Sequence, residues 1–189
     1  MTGTRFVVPP PDPLDSSDAV YFAPFEDDRG RFTNPWGVNP SPVTSDPVRW
    51  ALESNPFAAE KRRRPLLPVA ASPLAGWRML PEGCRVMWLG HASVLVEMDG
   101  LRVLIDPVFW SSGGLMRRAV PAPLSVEALP EIDAVLLTHG HMDSASLKAL
   151  DERFGDRLTW MVPRGLDTVL PPRATRVEAL GWWEGLTLG

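Results

Sequence analysis

The sequence predicts an α/β layered domain, and three observations carry that expectation. The texture changes near residue 84, from chain rich in Pro, Asn, Asp and Gly to closely spaced apolar runs. The first runs form a hairpin-rich block joined at Asp99-Gly100, a strong two-residue hairpin turn signal. Beyond it, strand-like and helix-like patterns alternate towards the end of the sequence.

Residues 1–80 carry only scattered apolar anchors: Phe22, Phe25, Phe32, Trp36, Trp50 and Phe57. They read as an extended arm packing on a core built later, with those aromatics buried. Within the arm, Asp46-Pro47 supplies a helix start, an Asp at the cap and a Pro in the first turn. The basic run Lys61-Arg62-Arg63-Arg64 reads as a solvated loop, the alternative being attraction to anionic lipid head groups. Residues 81–189 form the second region. Arg85–Leu89, Ser93–Met98 and Leu101–Ile105 read as strands. Asp106-Pro107 follows, and then the Gly-rich loop Ser111–Gly114. Ala134–Thr138 is the next strand. Ala145–Phe154 fits a helix, with Leu147, Leu150 and Phe154 spaced for one apolar face. Thr159–Val162 reads as a strand ended by Pro163, Arg164–Leu170 as a short helix and Thr175–Leu180 as a strand.

Composition narrows the classes of function. Of 189 residues, 44% are hydrophobic and 22% charged, a balance found in soluble globular proteins. The net charge of −4 gives no electrostatic ground for a nucleic-acid partner. Cys84 is the single cysteine, so no internal disulfide forms, which is compatible with a reducing cytosol. The first residues lack the apolar core of a signal peptide, and no apolar stretch has the length of a bilayer span. A cytoplasmic protein is expected, with any membrane contact peripheral.

Thr138-His139-Gly140-His141-Met142-Asp143 carries the most chemistry. On extended backbone alternate side chains point the same way, so His139, His141 and Asp143 can converge at a strand mouth. Two imidazoles and a carboxylate suit zinc or a similar divalent ion. The plain alternative is a strand end with two polar histidines and an Asp capping the next helix. His91, the remaining histidine, follows a strand and a glycine; a catalytic place and a packed structural one are both open there.

Three blocks in this order, Trp88–Glu97, Leu104–Phe109 and His139–Asp143, resemble the metallo-β-lactamase superfamily. The resemblance is nearest to the branch that contains N-acyl-phosphatidylethanolamine phospholipase D and its bacterial relatives, which Phe32–Pro35 and Val177–Glu184 also resemble. It implies an αββα sandwich, of which this sequence would supply the N-terminal half. It implies two zinc ions, with His139 and His141 on the first and Asp143 on the second, and Asp106 as a carboxylate behind the ligands that orients the site. The implied activity is hydrolysis of a small-molecule or lipid phosphodiester, with Asp143 and His91 catalytic; a lactone or other ester is the alternative substrate. The family pattern His-x-His-x-Asp-His ends here in Ser144, a far poorer zinc ligand and a good helix cap. No histidine follows His141, whereas the family draws further ligands from its second half. The expectation is therefore at most one zinc, weakly held, negligible hydrolysis by this chain alone, and either a complementing C-terminal half or self-association. A non-catalytic fragment or pseudoenzyme is the reading of a different class.

Overall fold

The computed structural model describes residues 4–7, 29, 32, 49, 52–54, 56–62, 68–109, 118, 120–140 and 143–188. Phe22, Phe25, Trp36, Trp50, the Asp46-Pro47 helix start, the loop at 111–114, and Arg63 and Arg64 of the basic run lie outside them. The chain divides into two compact units, residues 1–65 with 181–189, and residues 66–180.

In the first unit, β1 (Thr4–Val7) pairs antiparallel with β8 (Glu184–Thr187). The phenyl ring of Phe6 lies so close to Gly185 that a β-carbon there would collide with it. Phe32 meets the ring of Trp182 edge-on at 6.1 Å. Against expectation, Phe32 and Phe57 are both exposed, at 38% and 60%. A short helix, α1 (Ala58–Arg62), takes in the first two residues of the basic run.

In the second unit, α2 (Pro73–Met79) precedes the sheet; it starts with Pro at its first turn and buries Trp77. The strands are β2 (Cys84–Gly90), β3 (Ser93–Met98), β4 (Leu101–Ile105), β5 (Ala134–Leu136), β6 (Thr159–Pro163) and β7 (Arg176–Leu180). They form one six-stranded sheet in the order β2-β3-β4-β5-β6-β7. The pairs from β2 to β4 are antiparallel and those from β4 to β7 parallel. This mixed α/β architecture is consistent with the sandwich expected from the sequence. Asp99 and Gly100 both have positive φ, 52° and 81°, the twist that a two-residue β3–β4 hairpin requires.

Register explains the core. Leu95, Leu104, Val135 and Trp160 face one another across four adjacent strands, and each is fully buried. They share one cluster with Leu147, Leu150 and Phe154 of α3 (Ser144–Phe154). Burying each such side chain stabilises the fold by about 2 kcal/mol. Arg153 fastens α3 to the preceding loop by donating to the carbonyls of Val126 and Leu129.

Arg85, Glu97 and Arg102 stand directly opposite one another on β2, β3 and β4. Glu97 is 8% exposed and takes Arg85 at 2.8 Å on one carboxylate oxygen and Arg102 at 2.5 Å on the other. Removing the carboxylate would leave two half-sheltered cations facing each other. Glu97→Ala is expected to lower stability by about 2 kcal/mol, less than for a fully buried pair because Arg102 keeps contact with water. Urea unfolding checks this; a change under 0.5 kcal/mol, the usual range for plain surface positions, would show the triad to be inconsequential.

Candidate metal centre

Because β2 runs parallel to β4, and β4 to β5, the C-terminal ends of these strands lie along one sheet edge. His91, Asp106 and His139 each follow one of those ends. Open α/β sheets place ligands at such carboxyl ends.

Asp106 ties the edge together. Its N–H donates to Leu136 O at 2.9 Å, fixing the end of β4 against β5. Its carboxylate accepts from Thr138 N at 2.8 Å and from Thr138 Oγ1 at 2.5 Å. Thr138 Oγ1 also lies 2.8 Å from His139 Nδ1. A hydroxyl has one proton, and here Thr138 gives it to Asp106. Nδ1 of His139 must then donate to Thr138, which sets the tautomer in which Nε2 carries the lone pair. Relays of this kind orient metal-binding imidazoles and raise their basicity. The direct distance from His139 Nδ1 to Asp106 Oδ2 is 3.9 Å, so the contact runs through the threonine. By sequence pattern alone Thr138 is only the end of its strand.

Two buried serines, also missed in the sequence, join the loops. Ser93 Oγ donates to Asp106 O at 2.9 Å and accepts from Val108 N at 2.8 Å. Ser146 Oγ donates to Asp143 Oδ2 at 2.6 Å and accepts from Phe109 N at 2.7 Å. Both are 0% exposed, so each hydroxyl depends on the partners it has, and no pattern in the sequence marks them. Asp143 is 5% exposed and caps α3, with Oδ1 accepting from Ala145 N at 3.2 Å. The cap is thus Asp143 and not Ser144, which is the exposed first residue of the helix.

The edge brings Asp106, Thr138 and His139 together and holds Asp143 by Ser146. His91 sits apart: strands spaced about 4.8 Å set β2 roughly 14 Å from β5 across the sheet. It has φ of 55°, and its carbonyl accepts from Trp88 Nε1 at 2.9 Å. His141 lies outside the described residues, and among the described residues no three His, Cys, Asp or Glu side chains gather as a metal site. The donor chemistry nevertheless suits a divalent ion. His139 presents an oriented imidazole, and each Asp143 oxygen, which accepts one hydrogen bond from Ala145 N or Ser146 Oγ, has a second lone pair.

Fold and site define a mixed α/β protein whose strand edge carries a histidine loop ordered by a carboxylate and a hydroxyl. Residues 101–189 match the Beta-lactamase superfamily domain. An uncharacterized protein of Mycobacterium tuberculosis is 33% identical over 126 residues, 63% of this chain and 32% of the relative. N-acyl-phosphatidylethanolamine-hydrolyzing phospholipase D 1 of Caenorhabditis elegans is 33% identical over 92 residues, 45% of this chain and 26% of that protein. A UPF0173 metal-dependent hydrolase of Herpetosiphon aurantiacus is 36% identical over 101 residues, covering 53% and 34%. Over residues 101–189 the chain is thus similar to the Beta-lactamase superfamily, and its relatives include metal-dependent hydrolases. It spans about a third of the length of the curated relatives it matches.

Proposed function

We propose that this chain carries a ligand set of a metal-dependent hydrolase, with His139, His141 and Asp143 holding zinc and a phosphodiester lipid of the N-acyl-phosphatidylethanolamine class as substrate. The observation that supports it most is the Asp106–Thr138–His139 relay, which leaves His139 in the tautomer a metal needs. A bound zinc ion supplies a water of lowered pKa and polarises a phosphoryl oxygen. The protein's own part is to orient: Asp106 fixes His139 through Thr138, and Ser146 fixes Asp143. His91, at the end of β2 on the same edge, would contact the substrate away from the metal ligands. Two of the similar proteins favour this reading, an N-acyl-phosphatidylethanolamine-hydrolyzing phospholipase D and a metal-dependent hydrolase. Among the described residues no helix is long and apolar enough to cross a membrane, so a lipid substrate would be met at a surface or as a free molecule.

A second reading, metal binding without catalysis, is favoured by Ser144, which stands exposed where the family pattern has a histidine. Hydrolysis of bis-(p-nitrophenyl) phosphate with added zinc separates the two. Slight but zinc-dependent turnover, lost in Asp143→Asn, supports the hydrolase. Zinc binding with no turnover above that variant supports the second reading.

A further inference from the structure

A groove of about 400 Å³ lies along α3. Leu147, Lys148 and Asp151, three and four residues apart on the helix, supply one wall. Val169, Pro171 and Pro172, from the segment after β6, supply another.

Asp151 sets this lining apart. It is 3% exposed, and a carboxylate buried so far normally has its oxygens paired. Oδ2 accepts from Arg173 N at 3.3 Å, a long bond. Oδ1 is shut off from solvent and has no hydrogen-bond partner among the described residues. The facing wall explains the gap. Proline has no N–H, so Pro171 and Pro172 offer rings and carbonyls, and Arg173 is the next residue with a backbone donor. The cations at the rim are turned elsewhere. Lys148 Nζ lies 3.8 Å from Glu152 Oε1, in a pair whose side chains are 73% and 60% exposed. Arg173 is exposed and meets Asp151 through its backbone N–H.

A sheltered carboxylate with one long hydrogen bond and one bare oxygen takes a charged N–H donor most strongly. The terminal torsion of an Asp side chain is broad, so a small turn presents Oδ1 to the groove. Pockets of this size pair apolar walls with a few placed polar groups that fix the ligand's orientation. From the bare oxygen, the donor-free prolines and the apolar sides, we infer that the groove binds a primary ammonium group on a short aliphatic body. The ammonium donates to Asp151, and the body lies between Leu147, Val169 and the two prolines. This goes beyond the hydrolase reading and does not rest on it, because the site shares no residue with His139, His141 and Asp143.

The test is calorimetric titration of the full chain, without metal, with hexylammonium chloride at pH 7. Binding should be saturable at one per chain. Hexanol, which lacks the charge, and hexyltrimethylammonium, which keeps the charge but has no N–H, should each bind about fivefold more weakly or worse. Asp151→Asn keeps an acceptor for Arg173 N and should weaken hexylammonium about tenfold, the loss of a charge-assisted hydrogen bond. Val169 is 56% exposed, so Val169→Lys adds a cation at the rim without disturbing the core, and should weaken binding about fivefold. Met79→Lys makes the same change at an 85% exposed position outside the groove and should leave binding within about twofold. Should Asp151→Asn fail to fold, the contrast between the two lysine variants and between the two ammonium ligands decides. Equal affinity for hexylammonium and hexyltrimethylammonium, undiminished binding by a folded Asp151→Asn, equal effects of Val169→Lys and Met79→Lys, or no saturable binding would each overturn the inference. With no metal present, such a failure is distinct from failure of zinc binding by His139, His141 and Asp143.

Discussion

Replacing Asp106 with alanine is expected to lower stability by about 3 kcal/mol, from two lost charge-assisted hydrogen bonds to Thr138 of about 1.5 kcal/mol each. The backbone adds to this. Asp106 holds φ of 41°, a region that Asp and Asn tolerate better than Ala. Asp106→Asn keeps an acceptor for Thr138 N–H and that backbone tolerance, so it should lose only about 1 kcal/mol. The two variants should part more clearly in zinc affinity. Asparagine can donate to Thr138 Oγ1 and turn the hydroxyl proton towards His139 Nδ1, which reverses the tautomer. Urea unfolding and zinc titration of both variants measure this. A stability loss under 1 kcal/mol for Asp106→Ala, with unchanged zinc affinity, would show that the relay does not order the site.

The second large effect concerns the sheet face opposite the core. Val86, Val96, Val103 and Ala134 line up across β2 to β5 on that face, and Trp88, Val94, Ile105 and Leu136 form the next row. Val86, Trp88 and Met98 are 58%, 60% and 56% exposed. β2 also stands at the end of the sheet order, and an apolar end strand is a template for further pairing. The chain is expected to bind a hydrophobic dye and to self-associate at micromolar concentration. The double substitution Val86→Lys and Met98→Glu should reduce both at least fivefold. Light scattering coupled to size exclusion reads the outcome. A monodisperse monomer with one sharp melt and no dye binding would mean that this face is covered within the chain.

The sheet strands and α3 were legible because local pattern decides them. Leu147, Leu150 and Phe154 announce a helix face, and Asp99-Gly100 a hairpin, without reference to the rest of the chain. The segment after β6 misled. A helix over Arg164–Leu170 fits its composition, yet only the short turn Asp167–Val169 forms. Gly165 takes φ of 93°, and its N–H donates to Asp167 Oδ1 at 2.9 Å, which sets a turn first and leaves the helix no room before Pro171. The pairing of β1 with β8 escaped notice because its partners lie at opposite ends of the sequence. At the site, the residue types of the histidine motif were legible from spacing, but their support was not. Backbone beyond Leu136 leaves the strand and bends at His139-Gly140, so strict alternation does not carry through to Asp143. The roles of Thr138, Ser93 and Ser146 depend on contacts with Asp106 and Asp143 that only the folded chain creates.

The central claim is that His139, His141 and Asp143 hold a divalent metal ion. Calorimetric titration with zinc of the wild-type chain and of the double variant His139→Ala/His141→Ala tests it most directly. The account predicts one zinc per wild-type chain, at least tenfold weaker in the variant, with Asp143→Asn in between. Equal zinc affinity in wild type and double variant would contradict it.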